Sequence, residues 1–402
     1  MIVLPDLYVD LRYLRHNKRI RWWMRALWWM PGIFMAAYTL WLTLQKDFAP
    51  DDNAVLNTYL FLLGLIVNPK FVFAVCSVTG WIVSRLRGSR RNYGNWAGGI
   101  LAATMIYILI YGSTIGFSKL DVRHVEFESA SLPAEFDGYR IVQFSDAHVG
   151  TYGLSRQQLL RNAVDSINAQ QADMIVFTGD LQNMQPREIR PHKGILSSLH
   201  AADGVFSILG NHDYADYIKA DTATKAANCR EIISMQRQMG WTLLLNSHCR
   251  IYRKNSSIVI AGMENDGDKK RFPQRGDLRR ALTGTESGDF TVMLQHDPSC
   301  WRRKILPQSS AQLTLSGHTH AMQFELFGWS PAALVYAEWG GMYYDGSRAM
   351  NVSTGLGGFV PFRFGVPGEI VVITLRKGSS RKPGSPQAAS NAQAQYANAP
   401  SA

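Results

Sequence analysis

Five short stretches carry side chains that bind metals: Asp146-Ala147-His148, Gly179-Asp180, Gly210-Asn211-His212-Asp213, Gln295-His296-Asp297 and Gly317-His318-Thr319-His320. Five of the ten histidines fall in them. Imidazole is the commonest protein ligand for transition metals, so histidines repeated beside carboxylates are either a divided metal site or scattered surface and turn residues. Taken singly, His148 or His296 reads as a capping residue and Asp180 after a glycine as an ordinary turn. Taken jointly, coincidence at five places is a poor account. One carboxylate can offer its two oxygens to two cations ~3.5–4 Å apart, and mixed nitrogen and oxygen ligation suits Mn, Fe or Zn better than Mg or Ca. Such a pair activates a water and neutralises charge on a phosphoryl oxygen. The glycines are expected to let the backbone turn sharply, with Gly317 permitting the turn that aims His318 and His320 inward.

Each stretch follows an apolar run: residues 139–144 (YRIVQF), 174–178 (MIVFT), 205–209 (VFSIL), 291–294 (TVML) and 312–315 (QLTL). With residues 257–261 (SIVIA), these read as buried strands. Residues 155–169 have helical spacing, and strand–helix–strand alternation argues an α/β domain. In such domains the loops after the strands' carboxyl ends build the site. Residues 369–375 read as a closing strand, and the Gly, Ser, Pro, Ala, Gln and Asn of 377–402 as a disordered tail. Cys76, Cys229, Cys249 and Cys300 show no C-x-x-C spacing. They read as free thiols, with a Cys229–Cys249 bridge open to a domain outside the cytoplasm.

The first third of the chain reads as membrane-spanning. Residues 26–44 and 96–117 carry no charge, and 54–83 are apolar around Asn68-Pro69-Lys70. Residues 1–25 hold six basic side chains against Asp6 and Asp10, a cytoplasmic signature, whereas residues 45–53 hold one Lys and three Asp. Arg85, Arg87, Arg90 and Arg91 return the next loop to the cytoplasm. A single span between these loops gives three in total (26–44, 55–83, 96–117) and places the C-terminal domain outside the cytoplasm. A hairpin at Lys70 gives four spans and a cytoplasmic domain. The multi-pass arrangement with an extracytoplasmic domain is the expectation. Absence of repeats and of paired intramembrane charges argues against a transporter.

The net charge of +11 is not a nucleic-acid footprint. Residues 1–95 hold 12 Lys and Arg against 5 Asp and Glu, and the tail from Lys377 adds three positive charges, leaving 96–376 nearly neutral. Membrane lipids are the expected partners of the basic segments.

The order D-x-H, G-D, G-N-H-D, a lone His and G-H-x-H resembles the calcineurin-like metallophosphoesterases over residues 137–376. An N-terminal membrane region before such a domain is similar to the bacterial membrane-anchored branch, which itself resembles the enzymes that cleave UDP-2,3-diacylglucosamine, and this implies a bacterial inner membrane. The resemblance implies a four-layer α/β/β/α sandwich, preceded here by a transmembrane helix bundle and a linker over 118–136. It implies two divalent metal ions, one on Asp146, His148, Asp180 and His320, the other on Asp180, Asn211, His296 and His318. His212 matches the position that meets the phosphate or protonates the leaving oxygen. Many relatives place a carboxylate three residues after the bridging Asp to pair with that histidine, where this chain has Asn183. Asp213, Asp297 and Gln323 read equally as support for the ligands or as loop residues. The expected activity is hydrolysis of a lipid-linked phosphodiester, phosphomonoester or pyrophosphate. The alternatives are an anchored phosphatase of soluble phosphoesters and a non-catalytic metal-binding scaffold.

Overall fold

The computed structural model describes residues 2–45, 53–269 and 272–378. The chain forms two compact units that divide between Ile115 and Gly116.

The first unit is helical. Val3–Val9 runs through a wider turn, Asp10–Leu14, and is followed by helix Trp22–Thr43. Residues Asn53–Leu86 form one continuous helix of 34 residues, and Gly94–Gly116 another of 23. By length and composition these last two can each cross a bilayer. Trp22–Thr43 does not reach the same hydropathy because it carries Trp22, Trp23, Trp28, Trp29, Trp41 and Tyr38, and such rings favour the membrane interface over its core. Among the described residues, two helices are thus long and apolar enough to cross a membrane, where the sequence suggested three spans. Pro69 cannot donate a main-chain hydrogen bond, and the helix absorbs it through a wide turn over Leu63–Val67, so no hairpin forms at Lys70.

The charge of Lys70 is met from the N-terminal helix. Its Nζ lies 2.7 Å from Asp6 Oδ1 and 4.5 Å from the Trp28 ring. Arg25 pairs with Asp10 in the same way, at 2.7 Å. Ion pairs that the sequence did not reveal therefore occur among the described helices, because the basic N-terminal segment carries two acids that fold back onto its neighbours.

The second unit contains twelve strands among its described residues. In one sheet lie β1 (Leu120–Ser129), β2 (Arg140–Phe144), β3 (Met174–Phe177), β4 (Val205–Ser207), β5 (Thr242–Leu243) and β12 (Gly368–Lys377), in the order β1-β12-β2-β3-β4-β5. The other holds β6 (Ser247–Arg253), β7 (Ser256–Gly262), β8 (Phe290–Leu294), β9 (Leu313–Ser316), β10 (Gly341–Asp345) and β11 (Arg348–Val352), ordered β10-β11-β9-β8-β7-β6. Pairs β2–β3, β3–β4, β7–β8 and β8–β9 are parallel.

Alternation along each strand separates two cores. Ile141, Met174, Val176, Ile258, Ile260, Val292, Leu294, Leu313 and Leu315 meet between the sheets. Val142, Phe144, Ile175 and Phe177 face outward onto Leu160, Val164 and Ile167 of helix Gln157–Asn168 and onto Ile232 and Met235 of helix Thr222–Gln238. Val259, Ala261 and Met293 pack against Trp301 and Ile305 on the far side. The result is the four-layer α/β/β/α arrangement.

Residues 118–136 are not a mere linker. β1 pairs in parallel with β12 along its whole length, from Leu120 opposite Gly368 to Ser129 opposite Lys377. Its alternation of charged and apolar residues, LDVRHVEFES, is that of an edge strand with one buried face. The expected tail, 377–402, overlaps the last residue of β12, Lys377, which is paired in the sheet, and residues 379–402 lie outside those described. All four cysteines are free thiols.

Candidate metal centre

The loops after β2, β3, β4, β8 and β9 bring the five metal-type stretches to one place, where the carboxyl ends of parallel strands from both sheets meet. Five of the candidate ligands occupy the left-handed backbone region that only glycine enters cheaply: Asp146 (φ 51°), His148 (42°), Asp180 (62°), His318 (77°) and His320 (51°). Strain of this kind, ~1–3 kcal/mol per residue, persists only where the surroundings enforce it. Here main-chain bonds between loops do so: Asp146 N–H donates to the Gly179 carbonyl (2.8 Å), His148 N–H to Asp180 (3.1 Å), and Gly317 N–H to His296 (3.0 Å).

The role expected of Gly317 changes. The left-handed residue is His318, while a Cβ on Gly317 would collide with Ser145 Oγ and Asp146 Oδ2. Gly317 is required for close approach of two loops.

Two clusters of ligand atoms result, each with its atoms within 4.8 Å of one another: Asp146, His148, Asp180 and His320; and Asp180, His296 and His318. In the first, His320 Nε2 lies 3.2 Å from both Asp146 Oδ1 and His148 Nε2, and His148 Nε2 lies 3.6 Å from Asp180 Oδ2. In the second, His296 Nε2 lies 3.2 Å from Asp180 Oδ2 and 3.3 Å from His318 Nδ1, and Asn211 Oδ1 lies 2.7 Å from His318 Nδ1. Asp180 is common to both.

Comparison with known proteins agrees with this geometry. The family model "Calcineurin-like phosphoesterase" matches residues 139–322, and "Probable Calcineurin-like phosphoesterase, transmembrane domain" matches residues 1–117. The "Uncharacterized metallophosphoesterase YkuE" of Bacillus subtilis is 31% identical over 72% of this chain and 98% of its own length. The chain belongs to the calcineurin-like metallophosphoesterases. It is also similar to a "Transmembrane protein with metallophosphoesterase domain" of Danio rerio, 28% identical over 80% of this chain and 72% of that protein. A Campylobacter jejuni metallophosphoesterase, Cj0846, is 24% identical over 93% and 95% of the two chains. The protein is therefore a membrane-associated metallophosphoesterase, and its family implies a dinuclear divalent metal site.

The donor set of this metallophosphoesterase fits such a site. His148 Nδ1 faces the Gln182 carbonyl at 3.1 Å and His296 Nδ1 the Thr178 carbonyl at 2.7 Å. Donation there leaves each Nε2 lone pair turned inward. His318 is reversed, with Nε2 3.0 Å from the Tyr336 hydroxyl and Nδ1 inward. Burial, with His212 nearby, pushes His148 down to about 3, and burial with the neighbouring His148 pushes His320 down to about 3. Burial also lowers His318. Each of these shifts favours the neutral imidazole, the form in which histidine binds a metal. Burial opposes ionisation of Asp180, yet His296, through its charge and its hydrogen bond, and His212 hold it well below the carboxylate range. Burial likewise opposes charge on His296, but Asp180 and Asp146 push it up to about 10. The buried acids thus attract positive charge into the cluster.

The candidate acid, His212, is oriented through main chain. Its Nδ1 lies 2.6 Å from the Asn183 carbonyl, and its own N–H donates to Asp180 Oδ1 at 2.8 Å. The Asn183 side chain points elsewhere, donating to Thr151 Oγ1 (2.8 Å) and the Phe359 carbonyl (3.1 Å). Asp213 is a loop clamp: Oδ2 accepts from Asp180 and Gly210 N–H (2.9 Å each) and Oδ1 from Leu181 N–H (2.9 Å). Burial and the Asp180 charge push Asp213 up to about 7 against those donors. Asp297 Oδ2 lies 3.5 Å from His318 Nε2, and Gln323 Nε2 donates to the carbonyls of Val360 (2.9 Å) and Phe362 (2.5 Å).

Four contributors were not singled out from the sequence. Tyr336 meets His318, and Tyr217 accepts from Asn211 Nδ2 at 2.8 Å. Glu188 accepts from Asn183 N–H at 2.6 Å, Met184 at 3.0 Å and Gln185 at 3.1 Å. Arg363 is fully buried and donates to the carbonyls of Thr354, Gly355, Gly357 and Pro367, pinning the glycine-rich loop beside His320. Only Arg363 left a signal, as one charge inside the apolar run VPFRF.

Proposed function

We propose that this protein is a membrane-anchored hydrolase of a lipid-linked phosphoester or pyrophosphate. Asp146, His148, Asp180 and His320 would hold one divalent cation, and Asp180, Asn211, His296 and His318 the other. When bound, the two cations would neutralise a phosphoryl group and supply an activated water. The observation that carries the reading is the pair of buried clusters joined through Asp180, with His212 fixed beside them.

The remaining work falls to this chain's own side chains. Donation from His212 Nδ1 to the Asn183 carbonyl keeps the ring in the tautomer whose Nε2 can meet a phosphoryl oxygen. Protonated, that nitrogen would give its proton to the leaving oxygen. Asp213 and Arg363 hold the loops that carry the ligands and need not touch substrate. Nitrogen-rich ligation favours Mn, Fe or Zn.

A lipid-linked substrate is supported by attachment to membrane helices and by the near-neutral charge of residues 96–376, which offers no general polyanion surface. The catalytic domain would lie on the extracytoplasmic side of a bacterial inner membrane; that side is supported by Arg85, Arg87, Arg90 and Arg91, which lie just before helix Gly94–Gly116 and favour the cytoplasmic side. An alkaline phosphatase fusion after Lys377 tests this. Enzymatic activity of the fusion is the expected result, and an inactive but stably expressed fusion contradicts it.

The substrate is tested with purified full-length protein, Mn²⁺ and a panel of lipid-linked and soluble phosphoesters. Preferential turnover of the lipid-linked class is expected. Equal turnover of soluble esters would favour the anchored phosphatase, and no turnover with metal bound would leave only a scaffold.

A further inference from the structure

The segment between His320 and Tyr336 turns apolar side chains into solvent. Leu326 and Trp329 exchange main-chain hydrogen bonds of 2.9 and 3.1 Å, closing a tight turn with Phe327 (φ 53°) and Gly328 (φ 77°) at its tip. Turns of this hand ordinarily carry Asn-Gly or Gly-Gly, because a bulky side chain at positive φ is strained. Phe327 is nevertheless 99% exposed. Leu334, in the short helical turn that follows, is 78% exposed, and Met322, Leu326, Trp329 and Val335 also reach solvent. An aqueous setting rewards neither the strained backbone nor the uncovered ring, and large apolar side chains left exposed together along one short segment point to an interaction surface.

Both ends of the segment are fastened to the metal centre. Ser330 Oγ donates to the Ala321 carbonyl at 2.6 Å, directly after His320. Tyr336 lies 3.0 Å from His318 Nε2, with Lys269 Nζ 5.2 Å from its ring. Whatever covers the apolar residues therefore stands close to the ligand cluster.

The chain itself indicates the occupant. Only Phe117, Ser118 and Lys119 separate Gly116, the end of a helix long and apolar enough to cross a membrane, from β1 at Leu120. That stretch reaches at most roughly 14 Å. Trp, Phe and Leu beside a lysine are the side chains that settle at the boundary between headgroups and acyl chains.

We infer that Leu326, Phe327, Trp329 and Leu334 form a lip that inserts into the interfacial layer of the bilayer to which the chain is anchored. Contact with lipid stands on exposure, strain and the short tether. That it delivers a headgroup phosphate to the metals rests on the hydrolase reading above.

The test reads lipid contact directly and needs no turnover, so it fails or succeeds apart from that reading. Phe327→p-benzoylphenylalanine is made in the full chain and reconstituted into phosphatidylethanolamine–phosphatidylglycerol vesicles, with Leu334→p-benzoylphenylalanine as a second probe. Tyr252, an exposed ring on β6, carries the same probe as control. After illumination, mass spectrometry should find about tenfold more lipid adduct at 327 and 334 than at 252, as an interfacially buried segment requires. Equal adducts at all three positions, none at 327 and 334, or cross-links there only to protein would overturn the inference.

Discussion

His212 Nδ1 lies 2.6 Å from the main-chain carbonyl of Asn183, and the peptide on the other side of Asn183 is held by the Glu188 carboxylate at 2.6 Å. A carboxylate that does not reach the histidine still sets where its partner lies. Glu188→Gln is expected to lower kcat by about tenfold with metal content unchanged, since small displacements of a catalytic group cost that much or more. Asn183→Ala keeps the carbonyl and should lose much less. Steady-state kinetics of both, with metal analysis, decides. A larger loss from Asn183→Ala than from Glu188→Gln would assign the orientation to the amide side chain.

Gly317 provides a steric test. A methyl group there meets Ser145 and Asp146, and backbone freedom is not at issue because Gly317 itself does not adopt positive φ. Gly317→Ala should therefore displace Asp146, with metal affinity falling about 10–100-fold, as when support for a ligand is lost. Isothermal titration with Mn²⁺ measures it. Unchanged affinity would show that the loops can part without cost.

Asp6 and Lys70 offer a test inside the helical unit. Removing one partner leaves the other unpaired in apolar surroundings, so Asp6→Asn is expected to destabilise by about 3–5 kcal/mol. Lys70→Met combined with Asp6→Asn should recover most of that loss. Thermal unfolding in detergent compares the three, and a double variant no better than the single would argue that the pair is not the source of stability.

The parts legible in the sequence were those where chemistry and periodicity coincide. Strands β2, β3, β4, β8 and β9 are short, largely apolar runs, and every ligand candidate sits within four residues of the end of one. What escaped depends on contacts distant along the chain. β1 was hidden because four of its ten residues are charged, and it becomes a strand only by pairing with β12, some 250 residues away. Tyr336 and Glu188 carry no pattern that separates them from other loop residues. Gly317 was recognised as necessary for a different reason from the one the structure gives, since close approach of Ser145 and Asp146 cannot be read from its neighbours. The neutralisation of Lys70 was equally invisible, because Asp6 lies 64 residues earlier in a segment that reads as a basic tail.

The central claim is that Asp180 joins two cation sites, one completed by His320 and the other by His318. Counting bound Mn²⁺ per chain in the wild type, Asp180→Ala, His318→Ala and His320→Ala tests it most directly. The account predicts two ions for the wild type, one for each histidine variant, none for Asp180→Ala, and loss of phosphoester turnover in all three. Two ions retained in Asp180→Ala, or both lost from a single histidine variant that remains folded, would contradict it.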